Sequence, residues 1–221
     1  MKKISLSFGA VCADVYFFPG GAARSLLLLE PVRRDLSRLP LYRKDGALLT
    51  AVSGMDWERD MTPWPAPPLV PGGHPFGGGA EEFLAFLLQK VLPEAEAAAG
   101  AAPDVRAILG TSLGGLFALW AACRTDSFSA CAALSGSFWY PGFTEWLREN
   151  PCRARRCFLG LGRKEAETRH PLLASIGSRT AETAAILREE GITVEEAVFP
   201  GGHHAGTERL AAALRWALDE K

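Results

Sequence analysis

Apolar residues recur along this chain in two rhythms, and the points where the rhythm changes lay out its elements. The first twenty residues alternate in two short blocks, KISLSFGA and ADVYFF, which predict two strands. Runs rich in Leu and Val at 25–29 and 47–52, bounded by glycine or charge, predict two buried strands. From 80 to 92 the spacing turns helical through Phe83, Leu84, Leu87, Leu88 and Val91, with Pro93 marking a break or kink. Strand and helix then alternate. Strands are predicted at 105–110, 129–134, 157–161 and 193–199, with helices at 113–123 and 180–190. Gly191 follows the second of these helices, where a glycine can take the left-handed cap. The final helix sets Leu210, Leu214, Ala217 and Leu218 on one face.

Strands alternating with helices imply an α/β fold with a mostly parallel central sheet and helices on both faces. At 221 residues, and without an internal repeat, the chain fits one domain, 1–221. In such sheets ligands bind beyond the carboxyl ends of the strands, so a residue just after a strand is the better site candidate. Segment 56–79 departs from both rhythms, with six prolines and five glycines. A stretch of that length without periodicity is functional or disordered, and Trp57, Trp64 and Phe76 argue against disorder.

Charge and composition mainly remove possibilities. A formal net charge of −1 gives no electrostatic reason to expect nucleic acid or an anionic membrane as partner. Arg153, Arg155 and Arg156 read as a solvated approach to a strand. No apolar stretch reaches membrane-spanning length, and Asp14 interrupts the apolar run behind the two N-terminal lysines, so a leader peptide is not expected. Five scattered cysteines, at 12, 123, 131, 152 and 157, read as reduced structural thiols of a cytoplasmic protein. They lack the spacing of a zinc site, so neither metal nor cofactor is expected.

The strongest chemical signal is Gly110-Thr111-Ser112-Leu113-Gly114, a GxSxG pattern followed by Gly115. A serine hydroxyl is a weak nucleophile unless it is exposed and a base takes its proton. A sharp strand-to-helix turn exposes it, and small flanking residues let that turn close. The expected strand before Ser112 and helix after it supply this context. The N–H of Leu113 would then face the developing oxyanion, with a second donor from the 54–57 loop, at Asp56. For the base, only His203 and His204 follow the last strand, in PGGHHAG, as the chain order nucleophile–acid–histidine requires. The acid should lie between them, beyond a strand end. Glu165 answers that description, with Glu167 as its neighbouring alternative, whereas Glu195 and Glu196 fall inside a strand and suit an edge.

With these residues in place, the chain resembles the putative-esterase branch of the α/β-hydrolases. That branch includes enterochelin esterases, S-formylglutathione hydrolase, feruloyl esterases and mycolyltransferases. GTSLGGLFALWAA, LSGSFWYPGF, LGRKE and PGGHH carry the resemblance. It implies the α/β-hydrolase fold, His203 rather than His204 as the base, and Glu165 as the acid of a Gly-x-x-Glu turn. It also implies that Arg59 and the 135–139 segment lie near the substrate. Where the family often has aromatic residues soon after the histidine, this chain has Ala205, Gly206 and Thr207. The resulting expectation is a serine esterase acting on a small-molecule carboxylic ester through an acyl-enzyme. Trp57, Arg59, Trp64, Phe138, Trp139 and Tyr140 are its candidate substrate contacts. The alternatives are an acyltransferase on the same residues, a non-catalytic binding module of the same fold, and metal-dependent hydrolysis through His203, His204 and His74.

Overall fold

The computed structural model describes residues 1–18, 22–37, 46–203 and 207–219. Its strands form an eight-stranded, mostly parallel sheet accompanied by helices, the α/β class that the alternating pattern predicts. In sequence order these strands are β1 (Lys2–Phe8), β2 (Val11–Phe17), β3 (Arg24–Leu29), β4 (Ala47–Ser53), β7 (Val105–Thr111), β8 (Ala130–Leu134), β9 (Arg156–Gly162) and β10 (Thr193–Phe199). Their spatial order is β1-β2-β4-β3-β7-β8-β9-β10. Contacts divide the chain into two compact units, Met1–Ile108 and Leu109–Lys221.

In the first unit, β1 and β2 pair antiparallel with Phe8 opposite Val11, so only Gly9 and Ala10 form the turn. A connection that short joins antiparallel strands only. Gly9 takes φ 68°, which a glycine adopts without penalty. β2 pairs antiparallel with β4, and β3 parallel with β4. β3 is buried along almost its whole length, as its unbroken leucine run predicts. The predicted 80–92 helix is longer than expected. α2 (Ala80–Phe86) passes through a π-helical turn, Leu87–Val91, into α3 (Leu92–Ala99). Pro93 therefore ends nothing. It sits in the first turn of α3, where the wider π turn absorbs its missing N–H and its ring.

The 56–79 segment also belongs to this unit, and it is stitched rather than structureless. Asp56 caps the short helix α1 (Trp57–Asp60), its carboxylate accepting from the Arg59 N–H. Two-residue strands β5 (Pro65–Ala66) and β6 (Phe76–Gly77) pair antiparallel. The Arg59 side chain lies across the glycine run. A Cβ on Gly77 or Gly79 would come within 2.8 or 2.9 Å of Arg59 Cγ, so the glycines are what let the arginine lie there.

In the second unit, α4 (Leu113–Arg124) follows β7, and α5 (Phe143–Glu149), which the pattern did not predict, follows β8. β8, β9 and β10 pair parallel. α6 (Pro171–Ala174) and α7 (Ile176–Glu189) precede β10. Gly191, at φ 82°, closes α7 as expected. β10 is last in the strand order, and Glu195 and Glu196 on it are exposed, the position expected of charges on an edge. α8 (Thr207–Leu218) buries Leu210, Leu214, Ala217 and Leu218 as predicted. All five cysteines are free. Among the described residues, no helix is long and apolar enough to cross a membrane.

Candidate active site

The turn between β7 and α4 is built by its glycines. A Cβ on Gly110 would lie 2.2 Å from the Gly114 carbonyl oxygen, and one on Gly115 would lie 3.1 Å from that of Gly110. Only glycine lets strand and helix approach this closely. Ser112 stands at the apex with φ 59° and ψ −123°, a conformation that costs a side-chain-bearing residue about 1–3 kcal/mol. The Ser112 N–H donates to the Leu134 carbonyl at 2.9 Å, and its own carbonyl accepts from Gly115 and Leu116. These bonds hold the strained turn in place, with Ser112 half-exposed. Leu113 opens α4, where an N–H has no acceptor within the helix.

Glu165 reaches the same place through the turn after β9. Its N–H donates to Gly162 O at 3.2 Å, while the Gly162 N–H donates to its Oε1 at 2.5 Å. The turn is tied across to the exit of β10, since Arg163 N–H bonds Phe199 O and Lys164 N–H bonds Gly201 O. Those two backbone bonds draw the carboxylate-bearing turn beside the histidine-bearing one. Glu167, the neighbouring candidate, is exposed.

Three side chains then form a line. Glu165 Oε2 is 2.9 Å from His203 Nδ1, and His203 Nε2 is 3.0 Å from Ser112 Oγ. The Glu165 side chain is 1% exposed and the imidazole 35% exposed. Burial alone would raise the Glu165 pKa. Hydrogen bonds from His203, Ser135 and the Gly162 N–H, with the charge of Arg209, outweigh it and hold the carboxyl down at about 2. An ionised carboxylate can only accept, so Nδ1 is the donor and Nε2 is left with a lone pair facing the serine hydroxyl. The arrangement can take a proton from Ser112 and stabilise the imidazolium that results. His204 lies outside the described residues.

The remaining predicted residues fall as follows. Asp56, Trp57, Arg59 and Trp64 lie in the first unit. The Asp56 N–H donates to Asp60 Oδ2 at 2.9 Å, so the donor that the sequence offered to an oxyanion is taken up within its own turn. The Arg59 guanidinium pairs with Asp60 and Glu82. Trp57 and Trp64 are half-exposed. In the second unit Phe138, Trp139 and Tyr140 are buried, with Phe138 stacked on Phe143 at 5.6 Å, which gives this aromatic run a packing role. Among the described residues no group of three His, Cys, Asp or Glu side chains could hold a metal ion.

Sequence reasoning missed Arg209, and placed Ser135 only within a segment expected near the substrate. Ser135, fully buried at φ 50°, donates through Oγ to Glu165 Oε1 at 2.7 Å. Among the described residues Ser112 and Ser135 are the two non-glycine positions with positive φ, and both sit here. Arg209 donates from Nη1 to the same Oε1 at 2.7 Å and from Nη2 to Gly202 O at 3.0 Å. It shares a helical stripe with Ala213 and Ala217, four and eight residues on, and an arginine in register with buried alanines was the available signal.

Residues 51–216 match the profile of the family described as "Putative esterase". YbbA, an uncharacterized protein of Bacillus subtilis (strain 168), is 27% identical over 142 residues, covering 62% of this chain. The chain spans 57% of that relative's length. Siderophore hydrolase EstA from Aspergillus nidulans superposes with a TM-score of 0.70 at 21% identity, over 97% of this chain and 93% of that one. The enterobactin esterase FES from Shigella flexneri, solved in the presence of enterobactin, superposes at 0.71 and 18% identity, over 98% of this chain and 58% of that one. At these identities the structural likeness is one of fold. The family profile runs from β4 into α8, taking in Ser112, Glu165 and His203, and by that match the chain belongs to the putative-esterase family of the α/β-hydrolase fold.

Proposed function

We propose that this protein hydrolyses a carboxylic ester through an acyl-enzyme formed on Ser112, with His203 as base and Glu165 as its partner. One observation carries the reading: the unbroken line from Glu165 Oε2 through both imidazole nitrogens to Ser112 Oγ, at 2.9 and 3.0 Å. In the first half-reaction Oγ bonds to the ester carbonyl carbon and its proton passes to His203 Nε2. The Leu113 N–H faces the oxyanion of the tetrahedral intermediate. Collapse breaks the bond to the alcohol oxygen, which leaves with the proton from Nε2. Water then repeats the sequence on the acyl-enzyme, releasing the acid and Ser112. Glu165 stays ionised and stabilises the imidazolium at both stages.

The same reading takes residues 1–221 as one domain. Free cysteines support a reducing compartment such as the cytoplasm. The siderophore hydrolase and enterobactin esterase among the structural relatives make enterobactin and other siderophore esters one arm of a substrate screen, beside catecholate esters, feruloyl esters and nitrophenyl esters of graded chain length. Product analysis with an added alcohol separates hydrolysis from acyl transfer.

The decisive variant is Ser112→Ala. It should fold as the parent does, lose turnover by about six orders of magnitude, and escape the fluorophosphonate label that the parent takes at this residue. His203→Ala should be comparably inactive, while His204→Ala should change turnover only modestly. Parent-level hydrolysis by pure Ser112→Ala would overturn the reading.

A further inference from the structure

We propose that Arg209 is a positioning residue of this site, clamping Glu165 by one oxygen and the histidine-bearing turn by a backbone carbonyl. The proposal rests on the roles given above to Ser112, His203 and Glu165. Its side chain is 3% exposed, and burying a guanidinium is costly unless its donors are matched; Nε finds no partner among the described residues, and Nη1 and Nη2 make the bonds. Its donors reach three separate segments. Nη1 donates to Ser135 Oγ, beyond β8, and to Glu165 Oε1, beyond β9. Nη2 donates to Gly202 O, the residue before His203.

The pattern of these bonds separates positioning from plain ion pairing. A structural arginine–carboxylate pair is commonly bidentate, with two parallel bonds covering both oxygens. Here the guanidinium takes Oε1 alone, together with Ser135 Oγ and the Gly162 N–H, so three donors converge on one oxygen. Oε2 is left to His203 Nδ1. The same guanidinium fixes the Gly202 carbonyl, so carboxylate and imidazole are set against a common rigid group. Gly162 makes the room. A Cβ there would come 2.5 Å from Arg209 Nη2 and 2.7 Å from Glu165 Oε1, which gives the glycine of the Gly-x-x-Glu turn a physical reason. The Phe199 ring of β10, with its centroid 5.7 Å from Arg209 Cζ, adds a cation–π contact.

Arg209→Met and Arg209→Lys in the full chain test this, read by kcat and KM across pH and by thermal unfolding. Among the described residues, the charged or titratable groups meeting the Glu165 carboxylate are His203, from the turn before α8, and Arg209, from α8. Ser135 and the Gly162 N–H bring neutral donors. Without the guanidinium, the carboxylate–imidazole pair loses its fixed cation and the protonated ring is favoured. The acid limb of kcat/KM should therefore move to higher pH in Arg209→Met. Its kcat should fall by about 10- to 100-fold, the cost typical of losing an outer partner, with KM little changed. Lysine restores the charge but cannot reach three acceptors at fixed angles, so Arg209→Lys should keep the parental acid limb yet remain below parental kcat. Should Arg209→Met fail to fold, the lysine variant decides alone. Parental kcat in Arg209→Lys, or an unmoved acid limb in folded Arg209→Met, would overturn the proposal. If Ser112→Ala is inactive in the same assay, such a result removes only the role of Arg209; if Ser112→Ala is active, the whole site assignment fails.

Discussion

Two buried carboxylates, one in each unit, have nearly the same electrostatics and opposite connections. Asp14 on β2 and Glu165 after β9 are both shielded from solvent, and both carboxyls are held at about 2. For each, burial alone would raise the value, and hydrogen bonds with nearby cations more than reverse it. Their partners differ. Arg33 forks across both oxygens of Asp14, Nε to Oδ2 at 2.9 Å and Nη2 to Oδ1 at 2.6 Å, with Lys3 and Ser5 adding to the shell. Both cations are themselves substantially exposed, and their donors with Ser5 are divided over both oxygens. At Glu165 the cation is buried, one oxygen is crowded with donors, and the other is reserved for a half-exposed ring that continues to a hydroxyl. A depressed carboxyl pKa is therefore common to both, and what sets Glu165 apart is the asymmetry between its two oxygens.

The sharpest way to break that comparison is to neutralise each carboxylate without changing its shape. Glu165→Gln should lower ester turnover by about ten-thousandfold, because an amide can hold the wrong imidazole tautomer. Asp14→Asn should leave turnover within about twofold at matched folded fraction, since its shell leads to no reacting group. Glu167→Gln should likewise do little. Equal losses from Glu165→Gln and Asp14→Asn would mean that the two carboxylates are not distinguished as described.

Acid should affect both through stability, and the sign follows from the direction of the shifts. A carboxyl whose pKa is lower folded than unfolded stabilises the fold above its unfolded value, and that contribution fades as pH falls towards the folded one. The window runs from 4.5 down to about 2 for Glu165 and from 3.8 down to about 2 for Asp14. Denaturant midpoints measured down this range should fall for the parent. They should fall less steeply for Glu165→Gln and for Asp14→Asn, each variant having lost one titrating group. A variant slope equal to the parent's would show that its carboxylate is not held in the manner described.

Much of this was legible from the chain, and the parts that were not have a common cause. Buried strands and the Ser112 turn could be read because they rest on local rules: apolar runs, a glycine at each flank, a cap at Gly191. The π turn before Pro93 was missed because a proline can be accommodated by rewinding a helix, and no single residue announces that. The 56–79 segment looked structureless because its order comes from Arg59 lying over Gly77 and Gly79, a contact between residues about twenty apart. Glu165 could be proposed by chain order, but the bonds that hold its carboxylate could not. Arg209 has no assigned role until α8 is placed against β8 and β9, and Ser135, expected only near the substrate, meets Glu165 through the fold.

Ser135 also supplies the smallest and most discriminating test, because Ser5 is its counterpart at the other carboxylate. Both hydroxyls donate to a buried carboxylate oxygen, at 2.7 Å from Ser135 and 2.6 Å from Ser5. Ser5 is exposed, so in Ser5→Ala water can take over the lost bond. The expected cost is within about 0.5 kcal/mol, with turnover unchanged. Ser135 is fully buried, and no solvent can replace its hydroxyl. Losing a buried hydrogen bond to a charged group costs about 1.5–3 kcal/mol, and Glu165 would hold its proton more readily. Ser135→Ala should therefore lower the thermal midpoint and reduce turnover by about tenfold, one decade being about 1.4 kcal/mol in the barrier. The backbone at φ 50° offers an internal control. Ser135→Gly removes the same hydroxyl but suits that conformation better, so it should recover part of the stability and none of the turnover. Turnover returning with the glycine would assign the defect to backbone strain and leave Ser135 no different in kind from Ser5.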